Sequence, residues 1–439
     1  MSFEILLGFL MVLALFAAIL LGFPIAFTLI LLGIVFGYIA IGKVVFFLMV
    51  FQVFETMTTA VLAAVPLFLF MGFVLEQAGL MDRLFKSFQL MLGPVRGSLY
   101  VATLSASTVF AAATGIVGAS VSIMGLMAGP AMRRSRYDTR LAAGSITAGG
   151  TLGILIPPSV MLVVMGPVLN ISVIRLFAAA IIPGLMLAGL FLGYTMLRSF
   201  LNPRLGPALP PEERATSLLP VIKEFFLGIV PPAVLILATL GTILAGIATP
   251  TEGAAMGAFG AFLLVVVYGR MRLRLLKEAL YRTAITSSMI LVLVAASNFF
   301  GAVFSRLGAP SFIAQNLLVF DFSPLTYLLI LLLLIFILGW PLEWVPIVVI
   351  VLPIFLPLVN ELGFNLVWFG TLVAVTLQTA WLSPPVALSA YFLKGVMPDW
   401  DLKDIYLGMI QFMGLQIIGA LLLVFFPQIA LWLPSVLLG

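Results

Sequence analysis

The stretch 149–159 reads GGTLGILIPPS and decides the fold, because two adjacent prolines interrupt a long apolar segment there. A second stretch, 378–385, reads QTAWLSPP and interrupts a later apolar segment in the same way. Proline lacks a backbone donor and breaks a helix, and inside a bilayer the freed backbone groups must find partners within the protein. The two proline pairs stand 227 residues apart. This spacing predicts two related halves, each containing one broken helix.

The loops near the two breaks have opposite charge character. A single proline precedes each pair by 27 residues, at Pro130 and at Pro357. The loop after Pro130 carries four arginines, whereas residues 360–367 after Pro357 contain no Lys or Arg. Upstream, Gly79 recurs as Gly308 at the similar offset of 229. Basic loops stay in the cytoplasm, so the halves are predicted to be inverted, a plan that recurs in secondary transporters. The alternative is a chance coincidence of proline spacing.

The composition predicts an all-α polytopic membrane protein. The chain of 439 residues is 63% hydrophobic and 8% charged, with a mean hydropathy of +1.29. This length leaves room for roughly ten crossings of about 20 residues each. No polar stretch is long enough for a separate soluble domain. The apolar residues 1–21 lack the basic start of a signal peptide, so we expect them to remain as a first span.

Several classes of function are excluded by missing residue types. The chain has no Cys and no His, so it cannot build a disulfide, a thiolate or imidazole metal site, or the common catalytic triads. It also lacks the P-loop signature of ATP hydrolysis. We therefore predict that it is not an enzyme. The net charge of +5 lies mainly in loops and indicates membrane topology rather than nucleic-acid binding.

Charge also favours a particular layout of the spans. If 98–132 and 325–359 are re-entrant hairpins that dip into the membrane and return, 18 of the 21 Lys and Arg residues fall on one side. The first inverted repeat is then predicted over 1–197, a cytoplasmic connector over 198–224 and the second repeat over 225–439. Within the repeats, we expect scaffold helices over 1–80 and 226–305, hairpin and broken helix over 88–168 and 325–392, and a last helix over 405–433. Single spans are predicted over 55–80, 174–197, 252–270 and 278–305. The stretch 249–252 indicates a helix start, with Thr251 as a possible N-cap.

The two breaks and the two hairpins are the candidate binding elements. Both breaks supply hydroxyl and carbonyl oxygens, which are the ligands of hard cations. The expected hairpin centres are Ser105-Ala106-Ser107-Thr108, ahead of small residues, and Gly339-Trp340-Pro341-Leu342-Glu343. Glu343 is a carboxylate in an apolar segment, and such residues are usually functional. The open alternatives are simple kinks at the prolines and small-residue helix packing at 105–108. For Glu343 the alternatives are a place at the membrane interface or an ion pair with a buried Arg.

Several segments, taken together and in order, resemble the large membrane subunit of tripartite ATP-independent periplasmic (TRAP) transporters. They span nearly the whole chain: Gly22–Phe27, Ala64–Gly72, Gly150–Ser159, Thr249–Glu252 and Leu382–Val386. The resemblance implies an elevator-type architecture of the ion-transporter superfamily, with Na⁺ as the coupling ion. It implies a secondary transporter in the bacterial or archaeal inner membrane that imports a carboxylate-type organic anion. The implied partners are a separate small four-helix membrane subunit, a periplasmic substrate-binding protein and membrane lipids, with no nucleic acid.

The same resemblance implies the site residues. One cation site would contain Ser105, Ser107 and Thr108 with Gly150, Thr151 and Pro157, and the other would contain Gly339, Pro341 and Glu343 with Gln378, Thr379 and Pro384. The substrate would lie between the hairpin tips, near Ser107, Thr108, Pro158, Glu343 and Ser383. One departure is Ala111, where the family's first hairpin often has an acidic residue. One alternative function is a stand-alone sodium/dicarboxylate symporter of the same architecture. Others are a membrane scaffold, against which the paired broken helices argue, and an intramembrane enzyme, against which the missing catalytic side chains argue.

Overall fold

The computed structural model describes residues 3–115, 117–210, 212, 214, 217–384 and 387–439. Its regular elements in those ranges are all helical, and eight helices there are long and apolar enough to cross a membrane. The prediction of an all-α polytopic membrane protein is therefore confirmed. Pro385, the last residue of the second proline pair, lies outside the described residues.

The first half runs from α1 to α10. Its scaffold helices are α1 (Phe3–Leu20), α2 (Ile25–Ile41), α3 (Val44–Thr58) and α4 (Ala64–Gln77), followed by the amphipathic α5 (Leu80–Leu92). The remaining helices are α6 (Ser98–Thr114), α7 (Val117–Arg134), α8 (Thr139–Thr151), α9 (Val160–Leu169) and the long α10 (Val173–Leu201).

The second half repeats this order. Its scaffold contains α11 (Leu218–Gly228), α12 (Val230–Ile236), α13 (Thr242–Leu244), α14 (Pro250–Val267) and α15 (Leu273–Arg306), followed by the short α16 (Ala309–Leu318). Then come α17 (Pro324–Leu338), α18 (Trp344–Pro346), α19 (Leu352–Glu361), α20 (Leu366–Ala380), α21 (Leu388–Val396), α22 (Leu402–Phe425) and α23 (Gln428–Leu438). A π-helical turn, Ile347–Val351, joins α18 to α19, so residues 344–361 form one helical run.

Matching glycines start matching helices in the two halves. Gly79 precedes α5 with φ +64°, and Gly308 precedes α16 with φ +72°. Glycine adopts this left-handed conformation without the steric penalty that a Cβ would bring. The two glycines that extended the repeat in the sequence thus perform the same local task, which is to turn the chain into a short helix ahead of a hairpin.

Two expected spans differ from the observed helices. The apolar residues 55–80 were expected to form one span, but the chain breaks at Thr59, between α3 and α4. Near this break the hydroxyls of Thr56, Thr58 and Thr59 bond to carbonyls of the preceding turn, and such bonds compete with the helical ladder. The last span, expected over 405–433, ends instead at Phe425, and α23 follows after Pro427.

The start of α14 is capped as the sequence suggested, with a shift of two residues. The stretch 249–252 indicated a helix start with Thr251 as the possible cap. In the structure Thr249 is the N-cap, and its backbone N–H donates to Glu252 Oε2 at 2.8 Å. The hydroxyl of Thr249 accepts in return from the Glu252 backbone N–H at 3.3 Å, completing a capping box.

The first hairpin turns back at the same depth at which the first long helix breaks. Helices α6 and α7 pack on each other and meet at Gly115. Helix α7 ends and α8 begins at the basic loop around Arg134. The start of α7 and the end of α8 lie together at the break, where Gly150 packs against Val121. Helix α9 then continues beyond this level. The hairpin therefore turns back where the helix breaks, which is the arrangement expected of a re-entrant element.

Candidate functional site

The tip of the first hairpin contacts the first break through Gly115. Gly115 has φ +63° and caps α6. A Cβ added there would lie 3.3 Å from the Pro158 carbonyl oxygen and 3.7 Å from that of Gly153. Across the break, Ser159 Oγ donates to the Ile154 carbonyl at 2.6 Å. The tip thus approaches a segment whose backbone carbonyls have left the regular helical pattern.

The tip of the second hairpin contacts the second break in a comparable way. Trp340 Nε1 donates to Ser383 Oγ at 2.6 Å, and Ser383 Oγ donates in turn to the Ala380 carbonyl at 3.2 Å. A Cβ at Gly339 would lie 2.5 Å from the Ala380 Cβ, so only glycine allows this close approach. Each hairpin tip is therefore held against the broken helix of its own half.

A cavity of about 230 Å³ lies between the two tips and the scaffold. Both hairpins, both breaks and the scaffold helices α4 and α15 contribute to it. The stacked rings of Trp381 and Phe392, with centroids 6.4 Å apart, form part of one wall. The remaining lining residues are Leu69, Gly115, Val117, Gly118, Ile154, Ser159, Val160, Met161, Thr286, Met289, Ile290, Glu343, Trp344 and Val345. The cavity is mostly apolar, with a few polar groups placed around it, as in small-molecule sites.

Three helices begin at this cavity. Val117, Val160 and Trp344 are the first residues of α7, α9 and α18, and all three line the cavity. Helix N-termini present free N–H groups and positive partial charge. Within the described part of the chain, no Lys or Arg lines the cavity, and Glu343 is its only ionisable residue. The arrangement can bind an anion through backbone groups, provided that the charge of Glu343 is balanced.

A separate polar cluster lies buried where the two halves meet. Gln378 Nε2 and Gln416 Nε2 each donate to Thr151 Oγ1 at 3.2 Å, and Thr151 donates to the Ala148 carbonyl at 2.8 Å. The side chains of Thr151, Gln378 and Gln416 are all 0% exposed. The amide oxygens of Gln378 and Gln416 have no hydrogen-bond partner. Thr151 and Gln378, expected in different cation sites, therefore belong to one cluster.

The residues expected in the sites are distributed over several places. Glu343 lies in the cavity, and Pro158 and Ser383 lie at the breaks behind it. Pro157 is buried at the first break, Pro384 is half-buried at the second, and Pro341 is exposed at the second tip. Gly150 packs against Val121 of α7, where a Cβ would collide with that side chain.

The centre of the first hairpin differs from the expectation at 105–108. The turn is at Gly115, and Ser105, Ser107 and Thr108 lie within α6. Thr108 donates to the Leu104 carbonyl of its own helix at 2.7 Å, and Thr379 similarly donates to Val375 at 2.8 Å.

Two other residues of α6 precede the tip. Ser107 Oγ is buried without a hydrogen-bond partner, 2.9 Å from where a Cβ at Gly149 would lie. Ala111 is buried one turn before the tip, and its carbonyl accepts from the Gly115 backbone N–H at 3.1 Å.

Sequence reasoning missed four contributors. Gly115 could have been found as the first glycine in the 98–132 segment, close to its midpoint. Gln416 was signalled by its polarity in an apolar helix. Ser159 directly follows the first proline pair but was not among the expected site residues. Phe392 offered no signal, because its contact with Trp381 depends on how α21 leaves the second break.

A larger cleft of about 530 Å³ lies further along the same boundary between scaffold and hairpins. Helices α9 and α15 and the run 344–361 line both the cavity and this cleft. Its lining is Gln52, Pro167, Val168, Asn170, Ser297, Asn298, Gly301, Ala302, Ser305, Val349, Pro353, Leu356, Pro357 and Asn360. The cleft lies toward the Arg306 end of α15, opposite the basic residues 270–282 that favour the cytoplasm.

Comparison with known proteins places this architecture in one family. The chain is 29% identical over 419 residues to the sialic acid TRAP transporter large permease protein SiaM of Vibrio cholerae, covering 95% of this chain and 96% of that protein. It is 31% identical over 387 residues to the C4-dicarboxylate TRAP transporter large permease protein DctM of Pseudomonas aeruginosa, covering 88% of each. These relatives are named as transporter permeases rather than enzymes.

A solved structure shares the fold. The crystal structure of the Alcanivorax borkumensis YdaH transporter aligns with a TM-score of 0.64 and 16% identity, covering 90% of this chain and 89% of that one. The chain is a multi-pass inner-membrane protein. The family model described as tripartite ATP-independent periplasmic transporter, DctM component, matches residues 12–429. The chain belongs to this family, as a large permease subunit of a TRAP transporter.

Proposed function

We propose that the chain imports a carboxylate-type organic anion, driven by Na⁺. A periplasmic substrate-binding protein delivers the anion, and a separate small membrane subunit completes the transporter. The observation that carries this proposal is the cavity shared by both hairpin tips and the scaffold. A site between two mobile re-entrant tips and a fixed wall can be exposed to either side of the membrane, as transport requires.

The chemistry of the cavity supports an anionic substrate with an apolar body. The first residues of α7, α9 and α18 bring three helix N-termini to one space, and these can bind a carboxylate. Trp381, Phe392 and the aliphatic lining offer apolar contacts. Relatives named for sialic acid, C4-dicarboxylates and 2,3-diketo-L-gulonate are consistent with an organic acid.

Sodium coupling is supported by the oxygen groups around the cavity. Glu343 lines it, and carbonyl oxygens of Gly153 and Pro158 lie beside the first tip. A monovalent cation near Glu343 would offset the repulsion between its carboxylate and the substrate. Among the described residues, no group of three or more His, Cys, Asp or Glu side chains could hold a metal ion.

The test is uptake into proteoliposomes that contain the chain and its small subunit. We expect uptake of a labelled organic acid only with an inward Na⁺ gradient and the purified binding protein outside. Replacing Na⁺ by choline should abolish uptake. Uptake in choline, or driven by ATP alone, would contradict the proposal.

The same assay distinguishes the proposed importer from a stand-alone symporter of the same architecture. That transporter would accept the free organic acid without a binding protein, so omitting the binding protein should leave its rate unchanged. We expect the rate to fall to background instead.

A further inference from the structure

The cavity between the hairpin tips has few side chains that can hold a charged group. Among the described residues that line it, Glu343 is the only ionisable one, and its carboxylate has the same sign of charge as the proposed substrate. The hydroxyl of Ser159 is already used, because it donates to the Ile154 carbonyl at 2.6 Å. The helix starts therefore offer backbone N–H groups to one carboxylate, but the described lining has no cationic side chain for a second.

The basic residue of α15 that comes nearest to the cavity in sequence is bound elsewhere. Arg282 lies one turn before Thr286, which lines the cavity. The Arg282 guanidinium bonds to Glu76 Oε1 at 3.1 Å and lies 5.1 Å from the ring centroid of Phe73. If Arg282 turned to the substrate, the Glu76 carboxylate would lose this partner. Arg282 is therefore not available to balance a second negative charge on the substrate.

Two aromatic rings form a flat wall of the cavity. The rings of Trp381 and Phe392 are nearly parallel, with an interplanar angle of 14° and centroids 6.4 Å apart. Phe392 also lies against the start of α7, since a Cβ at Gly118 would lie 2.9 Å from its Cζ. The pair thus joins the second break to the first hairpin. Aromatic side chains favour stacked or edge-to-face contacts with other rings, so this wall suits a ring-shaped ligand.

The volume of the cavity fits one ring with one carboxylate. An apolar protein cavity of about 150 Å³ can hold benzene, and this cavity has about 230 Å³. With the carboxylate at the helix starts, the far side of the ring faces the scaffold residues Leu69, Met289 and Ile290. A second carboxylate placed against these apolar side chains would lose its hydration without compensation.

We infer that this cavity selects a singly charged carboxylate whose body is one flat apolar ring, and that it rejects dicarboxylates. The inference rests on the proposed function, because it names the class of anion that the cavity takes. Trp381 and Phe392 determine the preference for a ring. Glu343 determines the preference for a single charge, because its carboxylate repels a second one. The substrate of this chain then differs from those for which the sialic acid and C4-dicarboxylate relatives are named.

The experiment measures binding to the membrane subunits alone, because a binding protein has a specificity of its own. The full chain is purified with its small subunit in saturating NaCl, and its unfolding temperature is recorded against the concentration of each acid. The two probes 4-nitrobenzoate and terephthalate have nearly the same shape but carry one and two negative charges. We expect the half-stabilising concentration of 4-nitrobenzoate to be at least about a hundredfold lower than that of terephthalate.

Glu343→Gln tests the selection of charge, because it removes the negative charge and keeps the shape of the side chain. We expect the ratio of the two half-stabilising concentrations to fall at least about tenfold, since terephthalate gains more than 4-nitrobenzoate when the repulsion is lost. The matched control is Glu361→Gln, at the exposed end of the same helical run and outside the cavity lining. It should keep the parent's ratio. An unchanged ratio in Glu343→Gln would overturn the role of Glu343.

Phe392→Leu tests the selection of a ring. Benzoate and cyclohexanecarboxylate are similar in size and equal in charge, but only benzoate has an aromatic face. We expect the parent to bind benzoate about three- to tenfold more tightly, Phe392→Leu to lose this preference and Phe392→Tyr to keep it. The matched control is Phe320→Leu, because Phe320 stacks on Phe322 outside the cavity lining. If Phe392→Leu keeps the preference, the aromatic wall does not select the ring.

The outcomes separate this inference from the proposed function. If the parent binds terephthalate as tightly as 4-nitrobenzoate, the inference is wrong, although uptake can still require sodium and the binding protein. The inference is also wrong if none of the four acids stabilises the parent while such uptake proceeds. If uptake proceeds in choline or without the binding protein, the proposed function fails, whichever acid the cavity binds.

Discussion

At the scale of single residues, Gly115 decides how the first hairpin turns. Its φ of +63° lies in the left-handed region, where a residue with a Cβ costs about 1–2 kcal/mol. The Cβ would also approach the Pro158 carbonyl oxygen to 3.3 Å. We expect Gly115→Ala to lower the unfolding temperature and to slow uptake in the proteoliposome assay.

The matched control for this substitution is Gly189→Ala. Gly189 lies within α10 and has no atom within 4 Å of an added Cβ, so alanine should be neutral or slightly stabilising there. If Gly115→Ala and Gly189→Ala behave alike, the left-handed turn is not what holds the tip at the break.

Residue identity predicted the breaks better than the turns. Pro157 and Pro384 were found from the sequence because each begins a pair of adjacent prolines, which removes two backbone donors from one turn. Single prolines such as Pro130 and Pro183 remain inside helices. The hairpin centre was placed at 105–108 because hydroxyls there suggested a binding tip. Thr108 satisfies its hydroxyl within α6 instead. The tip is Gly115, the first glycine of the 98–132 segment, which approaches the Pro158 carbonyl.

At the scale of elements, the parallel pair α8 and α22 depends on two facing glycines. A Cβ at Gly408 would collide with the carbonyl oxygen of Arg140, which is backbone and cannot rotate away. Overpacking of this kind costs about 1–3 kcal/mol. We expect Gly408→Ala to lower the unfolding temperature and to reduce uptake, since the helices must separate and carry Gln416 away from Thr151.

Gly414→Ala tests the same helix without the clash. An added Cβ at Gly414 has no atom within 4 Å, so this variant should unfold and transport like the parent. Equal losses in the two variants would point to a general intolerance of α22 to alanine and contradict the packing argument.

The existence of most helices could be predicted from the sequence, whereas their pairing could not. Apolar length and composition indicated α10, α14 and α15 with bounds close to those observed. The contact of α8 with α22 joins residues 264 apart, such as Arg140 and Asp404. No local pattern encodes such a contact, because it depends on how the two halves fold against each other. For this reason Gln416 was not among the expected site residues.

At the scale of the whole molecule, the positions of the cavity and the larger cleft predict the direction in which the hairpin tips move during transport. Both lie along α15, the cavity near Met289 and the cleft near Gly301. These two residues are separated by about 18 Å of helix. The cleft has amide and hydroxyl groups in its lining and, in the described part of the chain, no charged residue. If the hairpin tips move as a unit during transport, this cleft is the space on the extracytoplasmic side that receives them.

Cysteine cross-linking tests this movement, because the natural chain contains no cysteine. In the structure Val345 of the second hairpin and Met289 of the scaffold line the same cavity. The pair Val345→Cys with Met289→Cys should therefore be joined by a short bifunctional maleimide, and joining should arrest uptake. The pair Val345→Cys with Gly301→Cys should be joined only when the second hairpin has moved along α15. The yield of this second product should rise when sodium and substrate are present. Single-cysteine variants treated with the same reagent should keep their uptake. If the first pair is joined while uptake continues at the parent's rate, the tips do not move along α15, and access must alternate by smaller motions of the tips alone.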